Sequence, residues 1–475
     1  MLLLISLTPI SLGILNYIFK KKSFFLVLTS YILTFLFIFL AQEGSMVIGN
    51  YSALKGIEFE FNVTIRILLL SFNIFSLIVI LRIINKYDYV FFSLWLLLIG
   101  SINGFFMSRD FFNLYVHLEL ASILTFLLLA YDKNEIRIWA SLKYMIMSLV
   151  ALNLYLIGVG ILYSHSGTLN INYNLSNGIN NLAFSFILTG LLIKGGFFFL
   201  SGWLPNAHTE AVKGVSPILS GVIVKLPIFI IYLLYSSIPD NLKNFLYVFA
   251  IITAITSSFF TLLQDDIKKF FAYSTMSQMS YGLIILMVQP SIFPYFIIYH
   301  MFSKGFLFMI AEDIYEENQT KNLQELKGVK LPIDTLVLLS FLLLNLSGLF
   351  PFSLFILKDN LSLSYFLEIN IFIFGMYFYK LLSTFHIKKN FSYKYWYIFI
   401  FIILNIFGIT FYLISNFSEL SFLKISSQYL FFLLGIFVYF VLKDKISFRP
   451  IEIYNFQNSF IYQIAFLLLI MLIEI

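Results

Sequence analysis

Apolar runs of about 20 residues recur along the whole chain, with short polar segments between them. A run of this length lets an α-helix cross the hydrocarbon core of a bilayer, and the runs are continuous rather than alternating, which argues against a β-barrel. The pattern predicts an all-α polytopic membrane protein with about 14–16 transmembrane helices. We place these helices near residues 2–19, 24–41, 64–84, 89–107, 110–131, 138–162, 181–202, 212–237, 243–263, 271–288, 291–312, 332–356, 362–383, 394–415, 426–442 and 455–474.

The basic residues test this arrangement, because cytoplasmic loops carry an excess of lysine and arginine. Of the 30 such residues, 19 fall on one side of the predicted membrane, 5 on the other, and 6 lysines inside spans or at their ends. The richer side is predicted to be cytoplasmic, which places both termini outside. The first span is followed, not preceded, by basic residues, so we expect a retained span rather than a signal peptide. A cell (inner) membrane is the expected location, with an organellar inner membrane as the less favoured alternative.

Composition narrows the class of protein. The chain is 60% hydrophobic and 11% charged, which excludes a soluble globular domain, and the loops near 42–63 and 163–180 are too short to hold a core. It has no cysteine, so it offers no disulfide, no thiolate iron–sulfur site and no cysteine zinc site. We expect no cofactor, no metal and no nucleic-acid partner. Four segments are predicted: N-terminal helices (1–88), two central repeats (89–240 and 241–385) and C-terminal helices (386–475).

Ionisable residues inside the spans are the candidate chemistry, since a charge at the bilayer centre costs about 2.5–3.5 kcal/mol and is rarely kept without a function. Lys194 and Lys225 lie near the middle of consecutive spans, and Glu119 lies inside the fifth span. A buried lysine either pairs with an acid or tends to lose its proton. The hypothesis is that Glu119 and Lys194 form a switchable pair that passes a proton to Lys225. The alternative is a static ion pair that fixes helix register.

Two further positions extend this series. His300 and Lys304 are four residues apart, so they share one helix face and are suited to a proton relay. The alternative for His300 is a buried histidine that donates to a backbone carbonyl. Lys358 follows a helix interrupted by Gly348 and Pro351, and it is the predicted outer exit of the relay. Its alternative is a lysine that snorkels to the membrane surface.

Other ionisable residues receive structural interpretations. Lys143 and Lys380 lie near span ends, where snorkelling is the favoured interpretation. His117 is two residues from Glu119 and on nearly the opposite helix face, so we do not expect it to be the partner of that acid. His208, in the turn after the seventh span, is as well suited to bracing the turn as to admitting protons.

Five motifs follow one another between residues 90 and 360. They are ELASILTFLLLAY with Glu119, IKGGFFFLSGWLPNAHTEA with Lys194, SPILSGVIVK with Lys225, DDIKKFFAYSTMSQMSYG, and HMFSKGFLF followed by SGLFPFSLFILK with His300, Lys304 and Lys358. Together they resemble the antiporter-like, proton-conducting subunits shared by respiratory complex I, Mrp-type sodium/proton antiporters and membrane-bound hydrogenases. The resemblance implies a fourteen-helix core with two inverted five-helix repeats, broken helices 7 and 12, and a hydrophilic axis along those six ionisable residues. Further C-terminal helices are used for docking in some members.

The sequence departs from that pattern at several positions. Phe199 and Ser201 replace the family's proline and histidine after the seventh-span lysine, so we expect a milder break in that helix. Val212 stands where a proline is common, and Leu354 where a glycine is usual. These departures raise the alternative of a conduction-impaired member, although every principal ionisable position is filled.

The expected function is that of an ion-translocating subunit in a multisubunit membrane complex of Mrp or hydrogenase type, moving protons with or without exchange for sodium. A complex I subunit is one alternative; a stand-alone secondary transporter and a non-conducting structural subunit are two others. The chain itself is expected to perform no bond-making chemistry. The expected partners are the lipid bilayer, other membrane subunits including antiporter paralogues, and, in a redox-driven complex, subunits with iron–sulfur clusters.

Overall fold

The computed structural model describes residues 1–20, 24–352, 355, 364–392, 394–395, 398, 402, 422–443 and 456–474. Nine helices in these ranges are long and apolar enough to cross a membrane, and four shorter apolar helices accompany them. The prediction of an all-α polytopic membrane protein is therefore confirmed. The span predicted near 394–415 lies almost entirely outside the described residues, and the inverted repeats remain a prediction.

The chain divides into two compact units. The first contains Met1–Asn244 and Phe456–Ile475, and the second contains Phe245–Asn455. The helices assigned to the first unit are α1 (Leu2–Phe19), α2 (Phe24–Leu40), α3 (Val63–Ile83), α4 (Tyr89–Met107), α5 (Phe111–Leu129), α6 (Glu135–Ser166), α7 (Ile171–Asn177), α8 (Asn181–Lys194), α9 (Trp203–Glu210), α10 (Val215–Gly221) and α11 (Leu226–Leu234). Helix α12 (Asp240–Leu263) includes the boundary residue.

The second unit continues with α13 (Ile267–Val288), α14 (Phe293–Asn318), α15 (Ile333–Ser347), α16 (Ser364–Leu382) and α17 (Phe422–Leu442). The last helix, α18 (Phe456–Glu474), belongs to the first unit, where it packs against α8. The ends of the first five helices differ from the sequence prediction by at most two residues.

Asparagine and aspartate side chains explain where many of these helices begin. Each accepts hydrogen bonds from backbone N–H groups of the first turn, which have no partner inside the helix. The capping residues of α3, α4, α5, α6, α8 and α13 are Asn62, Asp88, Asp110, Asn134, Asn180 and Asp266.

Two small sheets were not predicted from the sequence. Strands β1 (Gly44–Val47) and β2 (Glu58–Phe61) form an antiparallel pair, whereas β3 (Val329–Pro332) and β4 (Phe385–Lys388) pair in parallel. Each strand has only four residues, too few to show a clear alternation of polar and apolar positions. Arg109 holds the first pair against the helix ends, since its Nε lies 2.9 Å from Glu60 Oε2.

The crossing of α6 and α8 positions the first candidate lysine. A Cβ atom on Gly190 would lie 2.4 Å from the carbonyl oxygen of Ala151, and one on Gly158 would lie 2.7 Å from that of Ala183. Small residues of this kind let two membrane helices approach backbone to backbone. Lys194, one turn beyond Gly190, is thereby brought against the side chains of α6.

Candidate functional site

The seventh span is interrupted directly after Lys194. Helix α8 ends at that residue, and Gly196 then has φ +82°, a conformation that glycine adopts without strain. The chain continues through a 3₁₀ turn at Phe198–Leu200 before α9 begins. The helix is fully interrupted here, with Phe199 and Ser201 in place of the family's proline and histidine, and a break milder than that of other members stays a prediction.

Ser201 helps to stabilise this break. Its Oγ donates to the carbonyl oxygen of Ile193 at 2.8 Å, and the indole N–H of Trp203 lies 3.3 Å from the same oxygen. A carbonyl released by an interrupted helix must find another donor when no water is available. The serine that departs from the family pattern therefore supplies a hydrogen bond that the broken helix needs.

The Lys194 side chain is only 2% exposed and ends among hydroxyl groups. Its Nζ lies 3.1 Å from the Tyr144 hydroxyl and is also hydrogen-bonded to Ser148. The same ammonium lies 4.4 Å from the centroid of the Tyr144 ring and 6.0 Å from that of Trp203. Hydroxyl oxygens and aromatic faces, rather than a carboxylate, therefore surround this cation.

Glu119 is half-buried in α5, and the Tyr115 hydroxyl, one turn earlier, is a polar neighbour of its carboxylate. Within the described part of the chain, no ion pair joins Glu119 to Lys194. The static Glu119–Lys194 ion pair, the alternative from the sequence, is therefore not present among the described residues, and the switchable pair stays a hypothesis. Whether the pair forms at another stage stays a prediction.

Tyr144 connects α5 with the broken helix. Its hydroxyl accepts a hydrogen bond from Lys194 Nζ, and its polar neighbours are the hydroxyl side chains of Ser122 and Thr125 in α5 and of Ser148 in its own helix. Ser122 lies three residues after the acid in α5, so both face the same side of that helix. A set of hydroxyl groups therefore occupies the region between the helix of Glu119 and the ammonium.

The eighth span is also interrupted, which the sequence analysis did not predict. Helix α10 ends at Gly221, Val222 leaves the helical region (φ −130°, ψ −57°), and a 3₁₀ turn at Ile223–Lys225 leads into α11. Lys225 is 1% exposed, and its Nζ donates to the carbonyl oxygen of Ser220 at 2.7 Å. Lys225, like Lys194, therefore lies at an interrupted helix, where its ammonium contacts a buried backbone carbonyl oxygen.

His208 lies at the turn between these two spans. It is fully buried in α9, and its backbone carbonyl accepts a hydrogen bond from Ser216 Oγ at 3.1 Å. This bond ties α9 to α10 through the backbone, and a bracing role for the imidazole itself stays a prediction.

In the second unit, His300 and Lys304 are both fully buried in α14. Lys304 Nζ donates to Ser274 Oγ at 2.7 Å and to the carbonyl oxygen of Phe271 at 3.2 Å, both in α13. The imidazole of His300 stacks on Phe296, with ring centroids 5.4 Å apart. The two residues lie on one helix, as the sequence predicts, and the lysine again contacts a hydroxyl.

Ser274 extends the polar surroundings of Lys304, because the hydroxyl of Tyr377 in α16 is a neighbour of its side chain. In each unit, then, a buried lysine is hydrogen-bonded to a serine that has a buried tyrosine hydroxyl beside it. Tyr144, Ser148, Ser274 and Tyr377 were missed by sequence reasoning, which searched only for ionisable groups. The spacing of Tyr144 and Ser148, four residues apart within an apolar span, is the signal that could have identified them.

The twelfth span is interrupted as well, since α15 ends at Ser347 and Gly348 has φ +77°. Asn345, just before the break, donates to Ser303 Oγ at 2.7 Å and so joins α15 to the helix that carries Lys304. Lys358 and Leu354 lie outside the described residues.

The prediction that Lys380 snorkels to the membrane surface was wrong. Its side chain is 6% exposed and does not snorkel; Nζ donates to the carbonyl oxygens of Leu262 and Gln264 at 2.9 and 2.7 Å and lies 3.1 Å from Asp265 Oδ1. It neutralises the C-terminal end of α12, where backbone carbonyls and the helix dipole favour a cation. Lys143 is half-buried.

In the part of the chain that the structure describes, no group of three or more histidine or acidic side chains could hold a metal ion.

The fold and the site define a class: a polytopic membrane protein whose interrupted helices carry buried lysines. The model of the family described as NADH:quinone oxidoreductase/Mrp antiporter, transmembrane, matches residues 108–386, more than half of the chain. The chain belongs to this family.

Named relatives come from both branches of the family. The chain is 27% identical over 329 residues to a Na⁺/H⁺ antiporter subunit of Alkalihalophilus pseudofirmus, covering 66% of this chain and 67% of that protein. It is 30% identical over 262 residues to an NADH-quinone oxidoreductase subunit of Desulforudis audaxviator, covering 51% and 52%. The alignments therefore span about half to two thirds of these relatives.

Solved structures share the fold. A chain of the archaeal membrane-bound sulfane sulfur reductase matches with TM-score 0.77 at 19% identity, covering 92% of this chain and 98% of its own length. Chains of the Mrp complex from a Dietzia species (TM-score 0.72, 20% identity, 82% and 80% covered) and of complex I from Thermus thermophilus (0.71, 19%, 99% and 100%) match as well. All three belong to multisubunit membrane complexes.

Proposed function

We propose that this chain is an ion-translocating subunit of a multisubunit membrane complex and that protons move along a relay of buried ionisable residues. The relay consists of Glu119, Lys194, Lys225, His300, Lys304 and Lys358. The Mrp antiporter or membrane-bound hydrogenase type of complex is favoured, with complex I as the alternative. Sodium is the candidate for an exchanged ion, by analogy with the Na⁺/H⁺ antiporter relatives.

The observation that carries the proposal is the environment of Lys194. A permanently charged lysine inside a membrane protein is normally neutralised by a carboxylate. Lys194 contacts Tyr144 and Ser148 instead, at a break that leaves backbone carbonyls such as that of Ile193 in need of donors. A hydroxyl group can both accept and donate a hydrogen bond, so it can solvate the neutral amine as well as the ammonium. This environment suits a group that changes protonation state.

Proton movement after substitution of Lys194 and Glu119 tests the function. In membrane vesicles that contain the assembled complex, Lys194→Met and Glu119→Gln should each lower proton translocation by about tenfold or more. Lys143→Gln is the matched control, since Lys143 is half-buried but lies outside the proposed relay. Translocation that persists in both relay variants, in fully assembled complexes, would establish the structural-subunit alternative.

The identity of the complex is tested by mass spectrometry of the proteins that co-purify with a tagged copy in mild detergent. Iron–sulfur or hydrogenase subunits would make the chain the pump arm of a redox-driven complex. Small membrane subunits and antiporter paralogues alone would assign it to an Mrp-type exchanger. Purification as a single chain would favour the stand-alone transporter and contradict our proposal.

The proposed location is the cell membrane, with the lysine-rich loops on the cytoplasmic side and both termini outside. The multi-pass character supports a membrane location, and the distribution of basic residues supports the orientation. Cysteine labelling with a membrane-impermeant reagent tests it: Lys133→Cys should be protected in intact cells, and Lys55→Cys should be labelled.

A further inference from the structure

We propose that the exposed face of α6 around Asn153 docks a transmembrane helix of another subunit, and that this helix places an amide or hydroxyl side chain opposite Asn153. The inference rests on the part of the proposed function that makes the chain a subunit of a membrane complex. It does not depend on the relay, because Tyr144 and Ser148, the residues of α6 that contact Lys194, are buried, whereas Asn153 is exposed.

Four residues of α6 form this face. They are separated by three, four and four residues, a spacing that places them on one side of an α-helix: Ile146, Leu149, Asn153 and Ile157. All four side chains are exposed. Asn153 is therefore a polar residue in the middle of an otherwise apolar exposed surface.

The aromatic residues near the two ends of α6 indicate how deep Asn153 lies. Trp139 and Tyr163 are both more than half exposed, and tryptophan and tyrosine are enriched at the two surfaces of a membrane. Asn153 is 14 residues from Trp139 and 10 from Tyr163, which corresponds to about 21 and 15 Å along the helix axis. A hydrocarbon core about 30 Å thick fits between the two aromatic residues, so Asn153 lies near the middle of this core.

The Asn153 carboxamide needs hydrogen bonds that its surroundings do not supply. Over the ranges that the structure describes, no hydrogen bond joins this carboxamide to another side chain or to the backbone. The hydrocarbon core holds no water, and acyl chains have no hydrogen-bonding groups. Leucine at this position would form the helix better and would cost nothing in lipid. A face that meets only lipid therefore does not account for the asparagine, whereas a hydrogen bond from a second helix does.

The chemistry of Asn153 also specifies the partner. A lysine or a carboxylate opposite it would bring a charge that the apolar residues of the face cannot neutralise. Asparagine, glutamine, serine or threonine supplies the hydrogen bond without a charge, and such side chains join helices inside membranes. The occupant is therefore a transmembrane helix with one of these four residues near the middle of its span.

Photo-crosslinking in native membranes tests the proposal. Benzoylphenylalanine incorporated at Ile157, one turn from Asn153, should cross-link to a subunit that co-purifies with the tagged chain. The cross-linked peptide should lie in a transmembrane segment of that subunit, with asparagine, glutamine, serine or threonine near its middle. Benzoylphenylalanine at Ile32, an exposed position of α2, is the matched control and should not give this adduct.

Substitutions at Asn153 test the hydrogen bond itself. Asn153→Leu removes the carboxamide from an exposed position, so the chain should still fold. The cross-link from Ile157 and the amount of the partner subunit recovered in mild detergent should both fall by about fivefold or more. Asn153→Gln, which keeps the amide, and Ile146→Leu, which keeps the face apolar beside it, should both retain the partner.

Several outcomes would overturn the proposal. Adducts of position 157 with lipid alone, with a second copy of this chain, or with its own span predicted near 394–415 would each identify a different occupant. Unchanged recovery of the partner after Asn153→Leu would show that the carboxamide does not hold it. Purification of the wild-type chain alone would instead contradict membership of a complex, so failure of this face and failure of the proposed function are distinguishable.

Discussion

At the scale of single residues, the buried lysines differ in what neutralises them. Lys194 contacts the hydroxyls of Tyr144 and Ser148, whereas Lys380 has a carboxylate, Asp265, beside two backbone carbonyls. A lysine with a fixed counter-charge at a helix end acts as a structural cation. A lysine among hydroxyl groups has no such fixed charge. The same residue type therefore has two roles in this chain, and its neighbours decide which.

The Tyr144 hydroxyl is expected to contribute to proton translocation through its hydrogen bond to Lys194. Tyr144→Phe removes one hydrogen bond to Lys194 and leaves the ring in place. Hydrogen bonds to charged groups contribute about 1.5–3 kcal/mol, so proton translocation should fall by about tenfold while the complex still assembles. Tyr163→Phe, in the same helix at a 53% exposed position, should leave the rate unchanged. Equal rates in the two variants would remove Tyr144 from the relay.

Lys380 is expected to contribute to the free energy of unfolding. Lys380→Met leaves Asp265 and two carbonyls of the α12 end without their cation. Because Asp265 is 24% exposed, the cost should fall below that of a fully buried pair, at about 2–3 kcal/mol. Thermal unfolding in detergent would measure it, with Lys133→Met, at an exposed position in the first unit, as the control. A melting temperature equal to that of the control would show that Lys380 contributes no net stability.

At the scale of elements, the close crossing of α6 and α8 and the interruptions in the seventh and eighth spans together place the buried lysines beside polar groups. The crossing brings α8 within hydrogen-bonding distance of the polar face of α6, and the break ends α8 at its lysine. An unbroken helix would satisfy its own carbonyls and offer none to the site. The breaks thus create polar backbone in the middle of apolar spans.

A pair of glycine variants tests the crossing. Gly190→Ala would place a methyl group 2.4 Å from the Ala151 carbonyl oxygen, so the helices must separate, at a cost of about 1–3 kcal/mol. Gly160→Ala, in α6, meets no atom within 4 Å and should be neutral or slightly stabilising. Melting temperatures and proton translocation should fall only in the first variant. Unchanged values there would mean that the crossing does not position Lys194.

At the scale of the whole molecule, the end of the chain returns to the first unit. Helix α18 packs against α8, and Asn241 Nδ2 donates to the carbonyl oxygen of Ile473 at 2.9 Å. Gln463, 2% exposed in α18, donates to the carbonyl oxygen of Leu200 inside the break, 3.3 Å away. This C-terminal helix therefore contacts the break that follows Lys194, whereas the sequence analysis noted only that some family members use such helices for docking.

Gln463→Ala tests this contribution. The variant leaves the Leu200 carbonyl without its side-chain donor, which should cost about 1–3 kcal/mol and lower proton translocation by loosening the break. Ile464→Ala, at a 62% exposed position of the same helix, is the control. Thermal unfolding and vesicle assays of both variants would check this, and equal behaviour would assign α18 to packing alone.

Much of the membrane fold was predictable from the sequence, because every span must be apolar over about 20 residues and flanking loops are polar. The first five helices were placed to within two residues. The interruption in the eighth span was missed, although the sequence carries a local signal for it. Pro227 has no N–H to donate to the carbonyl of Ile223 four residues earlier, and α10 ends at a glycine, Gly221.

The order of residues alone was enough to establish a polytopic membrane protein and to identify the lysines, the histidines and the acid of the candidate relay. The reason is that a span needs about 20 apolar residues to cross the hydrocarbon core, and that a charged side chain placed in this core costs free energy. What each charge contacts was settled only by the folded chain. Folding surrounds Lys194 with hydroxyl groups, pairs Lys380 with a carboxylate, and brings Gln463 to a break more than 250 residues earlier in the chain. These outcomes depend on contacts between distant segments, which no local pattern of residues specifies.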